Sequence, residues 1–284
     1  MTLPVTRIDA HFHCWQLARG DYGWLTPALA PIYRDVAVAD WQAHAAPLGI
    51  SSGVLVQAAP TEAETQFLLA QADANPAVLG VVGWVDMLAA DATARIEALA
   101  RHPRLKGLRP MLQDIADAEW ILQPALEPAL RAMAACGLVF DALVKSAHLP
   151  HILALAARHP DLRMVIDHCA KPDIAAGEWQ PWADGISRIA SETRAMCKLS
   201  GLMTEAGPRP SPGAVRRWGA HVLQCFGASR VVWGSDWPVL ELAGSYEQWW
   251  GEAQELLAGL DAEGQAAVMG GNAMGLYRLQ VPPP

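Results

Sequence analysis

Arg7-Ile8-Asp9-Ala10-His11-Phe12-His13 is the stretch on which the fold turns. On an extended strand, residues two apart point the same way, so His11 and His13 project together from the strand's carboxyl end. Seven more short runs rich in Val, Ile and Leu follow, at residues 53–57, 79–85, 105–109, 138–144, 163–168, 195–199 and 230–234. Their continuous apolar character predicts strands buried on both faces.

Helical stretches separate most of these runs. Thr61-Glu62-Ala63-Glu64 has the form of a capping box ahead of Phe67, Leu68 and Leu69, and Ser245 through Gln248 repeats the form ahead of Trp249. Ser211-Pro212 predicts a helix start with proline in the first turn, and Gly227 its far end. Eight alternating strand–helix units predict a closed (β/α)₈ TIM-type barrel, with the whole chain, residues 1–284, as one domain. An open doubly wound sheet is the rival, but no G-x-G-x-x-G follows the first strand. Two stretches break the rhythm: residues 15–36, rich in aromatics and proline, and the loop expected at residues 205–211. Connections as long as the first are usually lids or binding loops. The three closing prolines read as a tail.

Composition excludes several functions. Hydrophobic residues make up 52% and charged residues 18%, enough apolar surface for a large core. The net charge is −8 with no run of lysines or arginines, so nucleic acid and anionic membrane are poor partners. The start lacks the layout of a signal peptide, and no apolar run is long enough to span a bilayer. Five cysteines without a C-x-x-C pair predict free thiols and a cytoplasmic location. Cys14 and Cys169, each next to a histidine of interest, read as packed thiols.

His11 and His13 end the first strand, His168 ends the sixth, and Asp236 follows the eighth in Gly234-Ser235-Asp236-Trp237-Pro238. Taken singly, each has an ordinary structural explanation. Together they gain weight, because strand ends in a barrel converge on one mouth. By alternation Arg109 shares a face with Gly107, whereas Lys106 and Lys171 should face away. His148 and His151 are expected on a helix facing solvent.

The ordered set Asp9-Ala10-His11-Phe12-His13, Asp167-His168-Cys169-Ala170-Lys171-Pro172, Lys198-Leu199-Ser200-Gly201, Gly234-Ser235-Asp236-Trp237-Pro238 and Gly271-Asn272-Ala273 resembles the amidohydrolase superfamily. More narrowly it is similar to the amidohydrolase-related group of sugar-lactone hydrolases. The resemblance implies hydrolysis by activated water, with catalysis by His11, His13, His168 and Asp236 and the aspartate moving the proton. It implies a small sugar lactone of the fucono, galactono or rhamnono type (a 1,4 or 1,5 ring) as substrate and partner. Arg109 would polarise the carbonyl, and Trp15, Tyr22, Trp24 and Trp237 would flank the sugar. Two-metal members carry a bridging Lys or Glu after the fourth strand and a histidine after the fifth, and this chain has neither pattern. His11, His13 and Asp236 are candidate ligands for a single zinc that can occupy the site without being required. The alternatives are a metal-dependent decarboxylase or an amide or ester hydrolase on the same scaffold, and an inactive barrel that binds a sugar acid. Oligomeric state is left open.

Overall fold

The computed structural model describes residues 6–280; the closing prolines and the first five residues lie outside them. Eight strands, β1 (Arg7–Phe12), β2 (Ile50–Val56), β3 (Val78–Gly83), β4 (Leu105–Leu108), β5 (Val139–Ala142), β6 (Met164–Ile166), β7 (Met196–Leu199) and β8 (Val231–Trp233), lie side by side in chain order. Every neighbouring pair is parallel. The seam between β8 and β1 is closed just beyond the strands, where Asp236 N donates to His11 O and His13 N donates to Trp237 O, each at 2.8 Å. This is the expected (β/α)₈ barrel.

The outer layer comprises α1 (Val38–Ala45), α2 (Glu62–Ala74), α3 (Ala92–Ala100), α4 (Glu127–Ala135), α5 (Leu149–Arg158), α6 (Gln180–Glu192), α7 (Leu202–Glu205), α8 (Arg216–Phe226), α9 (Tyr246–Leu257), α10 (Ala262–Ala266) and α11 (Asn272–Tyr277). The Ser245 box is complete: Gln248 N donates to Ser245 Oγ at 3.2 Å and Ser245 N to Gln248 Oε1 at 2.8 Å. The Thr61 box is only half made. Glu64 N donates to Thr61 Oγ1 at 3.1 Å, but the Glu64 carboxylate turns away to accept from Ala58 N and Ala59 N, with shortest distances of 2.9 and 2.7 Å. The helix predicted from Ser211 begins only at Arg216, because Ser211 O is taken by a turn to Ala214 N and Gly213 N donates to Glu252 at 2.8 Å. Its far end at Gly227 is as expected. The expected loop at 205–211 is preceded by the short helix α7.

The barrel lumen has two storeys. The lower one is apolar: Ile8, Ala10, Val54, Val56, Leu79, Val82, Val139, Val165 and Val232 pack on Ala273, Leu276 and Tyr277 of α11, which plug the amino-terminal end. One step of alternation higher, two residues on, the same strands carry Asp141 above Val139, Asp167 above Val165 and Gly234 above Val232. Arg109 stands likewise above Gly107, and Lys198 above Met196. The long stretch after β1 folds back on itself: Trp15 and Val36 exchange both backbone hydrogen bonds, at 3.0 and 2.9 Å.

Candidate active site

Most of the predicted strands leave the ladder a residue or more before their expected carboxyl ends, so His13, Arg109, His168 and Gly234 all lie just past it. At β1 the pairing register slips between Asp9 and Phe12. Asp9 and Phe12, three residues apart, consequently both face Trp41: its indole N–H donates to Asp9 at 2.9 Å, and Phe12 stacks on its ring at 4.1 Å. Strict alternation would have sent His11 outward with Asp9, and the irregularity turns it into the lumen.

The backbone bonds of the seam then bring Asp236 against the histidines. Its Oδ1 lies 3.3 Å from His13 Nε2, 3.6 Å from His11 Nε2 and 3.8 Å from His168 Nε2. Asp236 itself sits at φ +58°, sparsely populated for a non-glycine residue. Behind it, buried Asp9 accepts from Ser235 N at 2.8 Å, Ser235 Oγ at 2.6 Å and Tyr246 Oη at 2.9 Å, which fixes the turn that carries Asp236. A Cβ at Gly234 would sit 2.8 Å from that of His11, so only glycine lets β8 come this close.

His168 arrives by a different route. His168, Cys169, Ala170 and Lys171 all adopt left-handed φ angles, 51, 53, 59 and 46°. Each such residue costs roughly 1–2 kcal/mol, so the turn must be held from outside. Trp182 Nε1 donates to Cys169 O at 2.6 Å, and the Cys169 thiol donates to Lys198 O at 3.2 Å. Gly201, at φ +70°, leaves room where a Cβ would meet the His168 ring at 2.8 Å. His168 Nδ1 is 2.9 Å from Ser200 Oγ. The left-handed run also sets Lys171, whose ammonium pairs with Glu205 at 3.6 Å.

Arg109 reaches the same space. Its Nε donates to Gln57 Oε1 at 2.8 Å, and its Nη2 to the Gln57 carbonyl. Its Nη1 lies 3.4 Å from Asp167 Oδ2 and 3.4 Å from His11 Nε2. Burial pushes Asp236 up, but the charge of His168 and the contact with His13 outweigh it and hold the carboxyl at about 2. Burial pulls His168 down to about 4, and it pulls His11 well below the usual imidazole value, helped by Lys198. The mouth therefore pairs an ionised Asp236 with neutral imidazoles at His11 and His168 at neutral pH.

The aromatic residues separate into two kinds. Trp24 is 38% exposed, with its indole N–H tied to Ala58 O at 2.7 Å. Trp15 is fully buried, its ring stacked 6.2 Å from that of His13 and its N–H given to Arg34 O. Trp237 is also fully buried, facing away from the mouth toward Glu241, which takes its N–H at 2.8 Å, with Arg34 over its ring. Tyr22 is buried beside Trp15. A substrate platform made of all four is thus not formed: Trp15, Tyr22 and Trp237 are wall, and Trp24 alone shows a face. His148, expected in solvent, is buried, with its Nδ1 accepting from Lys145 N at 3.2 Å.

Sequence reasoning passed over the layer beneath. Fully buried Lys198 contacts Asp141 Oδ2 at 2.5 Å, Asp167 Oδ1 at 3.0 Å and His11 Nδ1 at 3.2 Å. Tyr277 Oη reaches up from the plug to Asp141 Oδ2 at 2.6 Å. Burial drives Asp141 up to about 6, with Lys198 opposing, whereas Asp167 is held below the usual carboxylate value by Lys198 and Arg109 in spite of burial. The signal was present: Asp141, Asp167 and Lys198 are charged residues at inward positions of otherwise apolar strands.

Among the described residues, two groups have donor atoms all within 4.8 Å of one another, His11–His13–Asp236 and His11–Asp167–His168. Both have the nitrogen and oxygen donors zinc accepts. In the second, Asp167 is already paired with Lys198 and Arg109, so the first is the one that would hold an ion.

The sequence family described as amidohydrolase matches residues 8–279. The chain belongs to the amidohydrolase family. This amidohydrolase is 47% identical over 97% of both chains to an L-fucono-1,5-lactonase of Burkholderia ambifaria. It is 34% identical, again over 97% of both, to an L-fucono-1,5-lactonase of Burkholderia multivorans. A crystal structure of an amidohydrolase from Burkholderia multivorans with bound zinc superposes with a TM-score of 0.91 at 31% identity, covering 97% of this chain and all of that one. Among the described residues, no helix is long and apolar enough to cross a membrane.

Proposed function

We propose that the protein hydrolyses a small neutral sugar lactone, of the fucono, galactono or rhamnono type, to its aldonic acid. The observation that carries this is one carboxylate oxygen, Asp236 Oδ1, within 3.8 Å of three imidazoles in a barrel mouth. The 47% identity to an L-fucono-1,5-lactonase supports the choice of ester and of sugar. Asp236 takes a proton from water as the water oxygen bonds to the lactone carbonyl carbon. The bond from that carbon to the ring oxygen then breaks, and Asp236 returns the proton to the ring oxygen, leaving a hydroxyl and a carboxylic acid. Charge growing on the carbonyl oxygen is met by Arg109 and His11, with His168 and His13 at the flanks. Trp24 offers its exposed face to the sugar ring.

Zinc, when bound by His11, His13 and Asp236, would polarise the carbonyl and acidify the water. The reaction runs without it, because Arg109, itself a cation, stands at the end of β4 beside His11 and can polarise the carbonyl. The five cysteines, all free, suit a reducing cytosol. The test is acid release from a panel of aldonolactones, a dicarboxylate lactone and simple esters, before and after chelation. Fast turnover of one sugar lactone that survives chelation is the expected result. Activity on none of the sugar rings overturns the substrate reading, and an apo enzyme revived only by stoichiometric zinc overturns the metal reading.

A further inference from the structure

Gln57, the residue after β2, is fully buried, and the contacts of its side chain have a fixed sense. Its Nε2 lies 3.0 Å from Ala59 O, which only accepts, and 3.4 Å from Met111 Sδ. Its Oε1 lies 2.8 Å from Arg109 Nε, which only donates. The amide therefore has one orientation, with its oxygen on Arg109. The Gln57 backbone carbonyl takes a second hydrogen, from Arg109 Nη2. Nε–H and Nη2–H form one edge of the guanidinium fork, the edge that elsewhere grips a carboxylate. Here both acceptors are neutral and belong to one residue. That residue is held in turn, since Gln57 N donates to Val82 O at 2.8 Å and the Glu64 carboxylate ties down Ala58 N and Ala59 N beyond it.

We propose that Gln57 is a positioning residue for the hydrolysis: it clamps one edge of Arg109 with neutral oxygens, aiming the guanidinium at the lactone carbonyl without cancelling its charge. Of the five N–H hydrogens of Arg109, Gln57 takes two, and Asp167 Oδ2, 3.4 Å from Nη1, draws a third. One hydrogen on each Nη is left, and Nη1 stands 3.4 Å from His11 Nε2 at the mouth. A carboxylate at position 57 would grip the same edge more strongly, but it would neutralise the cation in a buried layer where water screens little. A guanidinium displaced by about 1 Å would lose much of its hold on the growing oxyanion. The role in catalysis rests on the hydrolytic reading of the mouth, while the clamp does not.

A double-mutant cycle on the hydrolysis of L-fucono-1,5-lactone tests the role. Gln57→Met keeps the length of the side chain and removes the acceptor. Its kcat should fall about 10²-fold, with KM changed by less than about threefold and an unaltered circular dichroism spectrum. Arg109→Met alone should cost about 10²–10³-fold. Because Gln57 acts through Arg109, the double variant should be slower than Arg109→Met by no more than about threefold. Effects that multiply, or a folded Gln57→Met with wild-type kcat, overturn the proposal. Should Gln57→Met fail to fold, Gln57→Asn, the same amide one carbon shorter, takes its place in the cycle with the same outcomes. Proton spectra read the clamp without turnover. The Arg109 Nε–H signal, assigned by its loss in Arg109→Met, should exchange slowly with water in the wild type and rapidly in the Gln57 variant. Rapid exchange in the wild type overturns the proposal. Slow exchange in a protein that opens no sugar lactone sinks the substrate reading and leaves the clamp standing.

Discussion

Val139 and Asp141 stand two positions apart in the chain, as do Val165 and Asp167, yet the members of each pair live in different media. Val139 and Val165 belong to an apolar lower storey sealed by α11. Asp141 and Asp167 share the upper storey with Lys198, Arg109 and the histidines, where Lys198 pairs with both carboxylates and Arg109 with Asp167. The lower storey uses burial alone, which is non-directional and tolerates imprecision. The upper storey uses contacts that depend on which atom carries a proton. A barrel can therefore keep its stability in one layer and its chemistry in the next, with Tyr277 joining them through its hydroxyl.

That division fails if one substitution damages both layers alike. The largest effect is expected from Asp236→Asn, which keeps the shape at the seam and removes the base. Lactone turnover should fall by roughly 10²–10⁴-fold, the range for loss of a general acid–base group, with an unchanged circular dichroism spectrum. Near-wild-type turnover would assign the proton transfer to another group. The complementary change is Leu79→Ala in the lower storey, where the side chain is 1% exposed. Urea denaturation should show a loss of about 2–5 kcal/mol, while kcat per folded molecule stays within a few-fold. A parallel collapse of kcat would mean that the apolar plug sets the geometry of the mouth.

How much of this was legible depends on the kind of signal. Apolar strand runs and the placement of His11, His13, His168 and Asp236 at strand ends were enough for the barrel and for the convergence at its mouth, because both follow from local pattern plus one topological rule. The turn that carries His168 was not foreseen, since a run of four left-handed residues is invisible to an alternation rule. Trp237 was misplaced because a strand-end position does not say whether an indole points into the mouth or out to Glu241. His11 was oriented correctly for an incomplete reason, as the slip in β1 register cannot be read from residue types. Lys198 and Asp141 were within reach of the method. They stand at inward parity in apolar strands, where a charge must find a partner.

The smallest predicted effect sharpens the contrast from outside the lumen. Glu64 is a buried carboxylate too, but its hydrogen bonds come from the backbone N–H groups of Ala58 and Ala59, and burial lifts it to about 7 where cations hold Asp167 down. In the unfolded chain Glu64 ionises near its ordinary value of 4.5, so between there and about 7 the native state keeps a proton that the unfolded state has lost. Stability then falls as pH rises through this window, since the native state binds more protons. The gain from the retained proton is complete below about 4.5 and gone above about 7. At 1.36 kcal/mol per unit of pKa the whole swing is at most about 3.4 kcal/mol. Glu64→Gln still accepts from both backbone groups and cannot ionise. The stability of wild type relative to this variant should thus decline from pH 4.5 to 7 and then level off, measured by urea denaturation at fixed ionic strength. A difference that is flat across the range, or that rises with pH, would mean that Glu64 is held ionised like the carboxylates of the upper storey, and that matched charge is not confined to the mouth.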